Sequence, residues 1–282
     1  MEVLFCFDRR YEQHFGAAVT SLVINNPQVV KTVHVMVDRL DDRLQAKLDQ
    51  LAQSYGITIR TYEIDLAQVR GVKLSGHISA AAYYRILAAE FLPQETQKVL
   101  YLDSDLIVSG AIADLYNLDL TDYPLAACGQ RVVTTKKRLE LNGNTYFNSG
   151  VILMNLAAWR RDDIGQKALQ FIRDFPQMIK FHDQDALNKI VDGNFINLDK
   201  KWNSLVDMYA GTSQVTPESA IVHFVGSLKP WQYWCIHPDR EIYWSYLRRS
   251  PWSKATPLLP KDARQTLSAA RSLVHQMRTK FA

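Results

Sequence analysis

The chain has 282 residues, 47% of them hydrophobic and 22% charged, which leaves room for a substantial core in one large or two small domains and gives no sign of disorder. Cys6, Cys128 and Cys235 stand far apart in no paired spacing, which argues against a disulfide framework or a zinc site and fits a reducing compartment. The net charge of +4 is carried entirely by Lys261, Arg264, Arg271, Arg278 and Lys280 set against Asp262, so the neutral body offers no basic groove for nucleic acid.

In chain order, residues 3–7 (VLFCF) read as a buried strand ended by Asp8. That run is too short for a signal peptide, and no run approaches the ~20 apolar residues a spanning helix needs. The expectation is a cytoplasmic protein, soluble or peripheral on the inner face of a membrane. Residues 12–24 have helical spacing and stop at Asn25, Asn26 and Pro27; residues 33–37 form a second apolar strand. Asp41 offers an N-cap, Leu44, Leu48, Leu51 and Tyr55 line one helical face, and Gly56 closes it before the strand 57–64. Strand, helix, strand, helix, strand opens a parallel α/β sheet. Ser79 is placed to cap a helix running to Phe91, where Pro93 ends it.

The stretch 98–109, KVLYLDSDLIVS, follows. Its apolar run ends abruptly in Asp103, Ser104 and Asp105, and in an extended backbone residues two apart point the same way. Two carboxylates converging on one place repel unless a cation sits between them, and oxygen ligation suits a hard ion such as Mn²⁺ or Mg²⁺. An isolated DxD also occurs as an ordinary turn cap. The sequence contains neither a GxGxxG that opens a helix nor a GxxxxGK[ST], so phosphate binding would have to rest on metal and side chains. Asp8 and the DSD both lie at strand ends, where open α/β sheets bind ligands.

Further on, residues 125–128 and 151–154 read as strands, 131–144 as a long loop, and Asn155 as the cap of a helix starting near Ala157. Asp183, Gln184 and Asp185 head another helical stretch, as acidic residues do in ordinary helices. The strand 220–224 holds His223, with Gly226 and Lys229 three and six residues on, and Trp202, Trp231 and Trp234 surround it in sequence. A glycine there admits a phosphate to the backbone, a lysine supplies a cation, and indoles suit the face of a sugar. Residues 1–260 form the body; 261–282 form a basic tail in which 263–281 read as one helix with a stripe of Leu267, Ala270, Val274, Met277 and Phe281.

As an ordered set, DSD, NSG (Asn148 to Gly150), DQD and the His223, Gly226, Lys229 spacing resemble glycosyltransferase family 8, which includes glycogenin and bacterial lipooligosaccharide galactosyltransferases. The resemblance spans about residues 3–235. It implies a GT-A type α/β fold with a mostly parallel central sheet, a UDP-glucose or UDP-galactose donor, a saccharide or glycolipid acceptor, Mn²⁺ or Mg²⁺, and retention of anomeric configuration. It further implies that Asp103, Asp105 and His223 hold the metal, Lys229 contacts the diphosphate and Gly226 admits it. Asp8 and Tyr11 would grip base and ribose, Arg85 and Asn148 the donor sugar, with Asp183 and Gln184 under its ring and His77 and Ile78 lining the acceptor pocket. Arg9 and Arg10 stand where bacterial members carry small polar or acidic residues, and arginines beside a nucleotide are compatible with binding it.

Two other classes use similar pieces. A phosphohydrolase places its DxD on the first strand with Thr two residues beyond, where Ile107 stands here. A non-catalytic carbohydrate-binding protein of the same fold would not need Asp103, Asp105, His223 and Lys229 together. The basic tail is expected on an anionic membrane surface, with packing of its stripe on the body as the alternative.

Overall fold

The computed structural model describes residues 1–65, 81–210 and 212–280. His77, Ile78, the Ser79 cap and Phe281 lie outside the described residues. Ten strands follow in chain order: β1 (Glu2–Phe7), β2 (Thr32–Val37), β3 (Thr58–Glu63), β4 (Lys98–Leu102), β5 (Leu106–Val108), β6 (Leu125–Arg131), β7 (Thr145–Asn155), β8 (Ile196–Asn197), β9 (Ser204–Asp207) and β10 (Ile221–Val225). The chain forms two compact units, one of Met1–Glu12, Gln28–Asp103 and Ile112–Asp199, the other of Gln13–Pro27, Ser104–Ala111 and Lys200–Ala282.

The first unit is built on a seven-stranded sheet of order β3-β2-β1-β4-β7-β6-β8. β1, β2, β3 and β4 run parallel, as do β6 and β8, while β7 is antiparallel to both β4 and β6. β4 is central, as its continuous apolar sequence requires: Val99, Leu100, Tyr101 and Leu102 are all buried. Asp41 caps helix Asp42–Tyr55 by accepting from the Leu44 N–H at 2.9 Å. Gly56 ends it at φ +63°, and Leu44, Leu48 and Leu51 fill the core while Tyr55 is half-buried.

Two elements differ from the sequence expectation. The helix expected up to Phe91 is broken into Ala81–Tyr84, a 3-10 turn Arg85–Leu87 and Ala88–Phe91. The tighter turn buries Arg85, Ile86 and Leu87 together. The strand expected at 151–154 extends back to Thr145, because Thr145, Tyr146 and Phe147 pair with Arg131, Gln130 and Gly129 of β6, while Asn148, Ser149 and Gly150 fall where the register shifts between Ala127 and Gly129. Within the 131–144 segment, residues Thr134–Leu139 form a helix ended by Glu140 at φ +52°.

The second unit holds a three-stranded sheet, β5-β10-β9. Helix Glu12–Asn25 is fixed to it from Gln13 onward: Ser21 Oγ accepts from the Val108 N–H at 2.9 Å, and Asn25 Nδ2 donates to the Val108 carbonyl at 2.9 Å. A Cβ at Gly16 would lie 2.3 Å from Trp252 Cε3, so this helix face must be bare for the indole to pack. His14 stacks on Trp231 at 3.5 Å and bonds the Tyr243 hydroxyl at 2.7 Å.

The C-terminal helix Ala263–Lys280 packs within this unit, but not by its apolar stripe. Ala269, Ser272 and Gln276 are buried, whereas Leu267, Val274 and Met277 are 55%, 49% and 50% exposed. Gln276 Oε1 accepts from the Ile236 N–H at 2.9 Å and its Nε2 donates to the Trp234 carbonyl at 2.9 Å. Among the described residues no helix is long and apolar enough to cross a membrane.

Burial pushes the His14 imidazole down to about 3 from its ordinary 6.5, with Asp105 opposing the shift and Lys229 adding to it. The unfolded chain therefore takes up a proton near pH 6.5 that the fold refuses until about pH 3, and stability falls as pH drops through that window. At ~1.4 kcal/mol per unit, the loss at pH 5 is about 2 kcal/mol. In urea unfolding at pH 7 and pH 5, His14→Gln should show a pH-dependent loss smaller than wild type by that amount; identical slopes would refute the assignment.

Candidate active site

The DSD segment carries the chain from β4 toward β5 through a turn at Ser104 and Asp105. The chain therefore bends between the two aspartates and does not continue as an extended strand. Tyr101 obeys the alternation instead: two residues before Asp103, its hydroxyl donates to Asp103 Oδ1.

In the first unit, the buried Arg85 guanidinium organises the end of β4. Its Nη2 lies 2.9 Å from Asp103 Oδ1, its Nε 3.2 Å from Asp183 Oδ2, and its Nη1 donates to the Ser149 carbonyl at 2.6 Å. The guanidinium also sits 4.3 Å over the Tyr101 ring. Asp183, at the start of helix His182–Val191, additionally accepts from Ser149 Oγ at 3.0 Å. Burial pushes its carboxyl up to about 6; the Arg85 charge opposes that and the Asp103 charge reinforces it.

Gln184 is fixed by the same strand. Its Oε1 accepts from the Ser149 N–H at 3.0 Å and from Asn148 Nδ2 at 3.2 Å, and its Nε2 donates to the Tyr146 hydroxyl at 3.0 Å. Arg85, Asp103, Asn148, Asp183 and Gln184, widely spaced in sequence, are thus brought together. Asp185, the other acid of the DQD, is occupied structurally: both its oxygens pair with Arg138 at 2.8 Å, and the Lys180 and Phe181 N–H groups donate to it.

Asp8 caps the turn Arg9–Tyr11 and is gripped by Arg10, whose Nη2 and Nε reach Asp8 Oδ2 at 2.7 and 3.0 Å. Arg9 instead lies 3.7 Å from Asp41. Tyr11 is half-buried at the end of that turn.

In the second unit, Asp105 stands between two cationic or coordinating groups: His223 Nε2 is 3.2 Å from Oδ1 and Lys229 Nζ 2.8 Å from Oδ2. Burial opposes its charge, but Lys229 and His223 outweigh it and hold the carboxyl well below the usual carboxylate range. Gly226 reverses the chain between His223 and Lys229 at φ +77°, a conformation that favours glycine.

His223 Nδ1 lies 2.9 Å from Asn203 Oδ1. An amide oxygen only accepts, so Nδ1–H donates to Asn203 and Nε2 is the nitrogen turned to Asp105. In the charged ring Nε2–H donates to the carboxylate, and in the neutral ring with Nδ1 protonated Nε2 offers its lone pair to a cation. Asp103 stands two residues before Asp105 in the chain. A carboxylate facing an imidazole that Asn203 orients fits a divalent ion. Ser104 Oγ, between the aspartates, is buried without a hydrogen-bond partner in the structure.

Tyr101 and Asn203 are the residues that sequence reasoning missed. The i, i+2 spacing to Asp103 would have found Tyr101. Asn203 has no such signal, because only the folding of the second unit brings it to His223.

A mostly parallel sheet with an acidic residue closing its central strand is the architecture of a GT-A type glycosyltransferase. The chain belongs to glycosyl transferase family 8, whose profile matches residues 2–235. It is 28% identical to lipopolysaccharide 1,3-galactosyltransferase of Salmonella typhimurium over 97% of this chain and 86% of that one. It is 30% identical to general stress protein A of Bacillus subtilis over 90% and 95%. The crystal structure of the galactosyltransferase LgtC in complex with donor and acceptor sugar analogs superposes with a TM-score of 0.78 at 25% identity, covering 94% of this chain and 99% of that one.

Because Arg85 is buried and neutralises two carboxylates, Arg85→Met should cost about 3–5 kcal/mol, the usual consequence of breaking a buried ion pair from one side. Denaturant unfolding of the full chain measures this; a loss below about 1 kcal/mol would show that the cluster does not depend on the guanidinium.

Proposed function

We propose that the protein transfers a hexose from UDP-glucose or UDP-galactose to a hydroxyl of a saccharide or lipid-linked acceptor, with retention of configuration and dependence on Mn²⁺ or Mg²⁺. The observation that carries this reading is the Asp105 carboxylate set between His223 Nε2 and the Lys229 ammonium. The similarity to the lipopolysaccharide 1,3-galactosyltransferase supports the donor and acceptor classes. In this reading residues 1–260 are the catalytic body and 261–282 a tail.

Asp103, Asp105 and His223 hold the metal. A divalent ion held by these residues would supply positive charge for the negative charge that builds on the leaving diphosphate. Lys229 adds a positive charge to the same phosphates, and Gly226 gives the backbone room to approach them. Asp8 and Tyr11 hold the base and ribose. Arg85 and Asn148 orient the donor sugar, while Asp183 and Gln184, locked by Ser149 and Tyr146, set the floor beneath its ring. His77 and Ile78 line the acceptor side. Retention proceeds through a covalent glycosyl intermediate or through attack from the face that the leaving group vacates.

UDP and both aspartates are anionic, so UDP affinity should fall steeply when EDTA replaces Mn²⁺, and Asp105→Asn should abolish most transfer while leaving a folded protein. Calorimetric UDP titrations decide the first point, and equal affinity with EDTA would sink the metal assignment. The product of a transfer assay should carry an α-anomeric proton by NMR coupling; a β linkage would contradict retention.

The outer face of the C-terminal helix supports a peripheral membrane role. Arg264, Arg271 and Arg278 are exposed alongside Leu267, Val274 and Met277, so basic and apolar groups share the surface that the docked face leaves outward. Each basic residue near an anionic lipid surface contributes about 1 kcal/mol, enough in sum for reversible attachment. The full chain should co-sediment with anionic liposomes at low salt and be released by high salt, and Arg264, Arg271 and Arg278 changed together to Gln should abolish it. Equal sedimentation of both proteins would remove the helix from the account.

A further inference from the structure

Lys229 is held in an unusual way for a residue that is to meet a diphosphate. Its ammonium lies 2.8 Å from Asp105 Oδ2, donates to the Phe224 carbonyl and sits 6.0 Å over the Trp231 ring, with the side chain only 12% exposed. The other oxygen of the same carboxylate faces His223 Nε2 at 3.2 Å. Asp105 is therefore shared by a coordinating imidazole and a built-in cation.

We propose that Lys229 is an exchangeable counter-ion of Asp105: it neutralises the carboxylate until a nucleotide diphosphate draws it away, and so makes metal and nucleotide bind cooperatively. This rests on the metal and diphosphate roles proposed above. A divalent ion on Asp105 and His223 lies close to the ammonium, and like charges at that range weaken metal binding. An incoming diphosphate relieves the repulsion, because it offers Lys229 a stronger anionic partner. Lysine suits the exchange: it is a point charge on a flexible stem, and re-aiming it needs no planar geometry to be rebuilt. The turn at Gly226 and the Lys229 N–H bond to Gln232 Oε1 at 3.1 Å fix the backbone, leaving the side chain as the element that moves. By linkage, whatever factor UDP adds to Mn²⁺ affinity, Mn²⁺ adds to UDP affinity.

The test is Mn²⁺ binding by the full chain, followed by the EPR signal of free Mn²⁺, with and without UDP. Without UDP, Lys229→Met should bind Mn²⁺ about tenfold more tightly than wild type, since a positive charge a few ångströms from the ion is gone. Lys229→Gln keeps an N–H donor without the charge and should shift the same way, whereas Lys229→Arg should stay near wild type. UDP should raise Mn²⁺ affinity strongly in wild type and much less in Lys229→Met. Equal or weaker Mn²⁺ binding by both neutral variants without UDP, in proteins that melt cooperatively, would overturn the counter-ion role alone. Absence of Mn²⁺ binding by wild type and all variants would overturn the metal reading and this inference with it.

Discussion

The geometry around the end of β4 depends on one buried cation. Arg85 is 6% exposed, and taking a guanidinium out of water costs several kcal/mol unless its donors are met. Here they are: Asp103, Asp183, the Ser149 carbonyl and the Ala82 carbonyl receive them. The cost of burying the charge is what makes the arrangement specific, since any shift of β7 or of helix His182–Val191 would leave the charge unpaired. The 3-10 turn at Arg85–Leu87 follows from the same demand, as it turns Arg85 inward next to two apolar neighbours.

Much of the fold was legible because burial on both faces writes strands as apolar runs. β1, β2, β4 and β10 were readable in this way, and Asp41, Gly56 and Asn155 cap or end helices where their chemistry predicts. What escaped was structure held by backbone bonds under polar sequence. The NSG segment looks like a break, and it does interrupt the pairing with β6, yet β7 runs on through it and pairs again at Thr145, Tyr146 and Phe147. The strand alternation expected of Asp103 and Asp105 does not hold, since the chain bends between them. Within the DQD, position at a helix start does not separate Asp183 from Asp185, and only the family resemblance picked out Asp183 with Gln184. Their different work comes from partners distant in the chain, Arg85 and Ser149 for one, Arg138 and Tyr146 for the other.

The C-terminal helix shows how amphipathic periodicity can locate a stripe without saying which face docks. Its apolar residues suggested burial or lipid, yet the buried face is Ala269, Ser272 and Gln276. The Gln276 amide satisfies the Ile236 N–H and the Trp234 carbonyl, two backbone groups that a leucine would have left without partners at this contact. Small residues on either side let the helix come close enough to do so. Polar satisfaction decided the docking, and the apolar side chains were left outward beside the arginines.

The same accounting separates a candidate metal ligand from an ordinary core histidine. His34 also faces a carboxylate, Glu2 at 2.8 Å, but its other nitrogen meets the Tyr62 hydroxyl at 2.9 Å. A hydroxyl can donate, so Nδ1 accepts and Nε2–H donates to Glu2, and the neutral ring is satisfied. His14 is stacked on an indole and bonded to a tyrosine hydroxyl. For His223 the partner is an amide oxygen, which cannot donate, so Nδ1–H donates to it and Nε2 is turned to Asp105. An amide oxygen in place of a hydroxyl behind the ring thus puts the neutral ring's lone pair on the carboxylate side, where a cation can take it. The burial of the ring, which is nearly equal in all three, carries no such information.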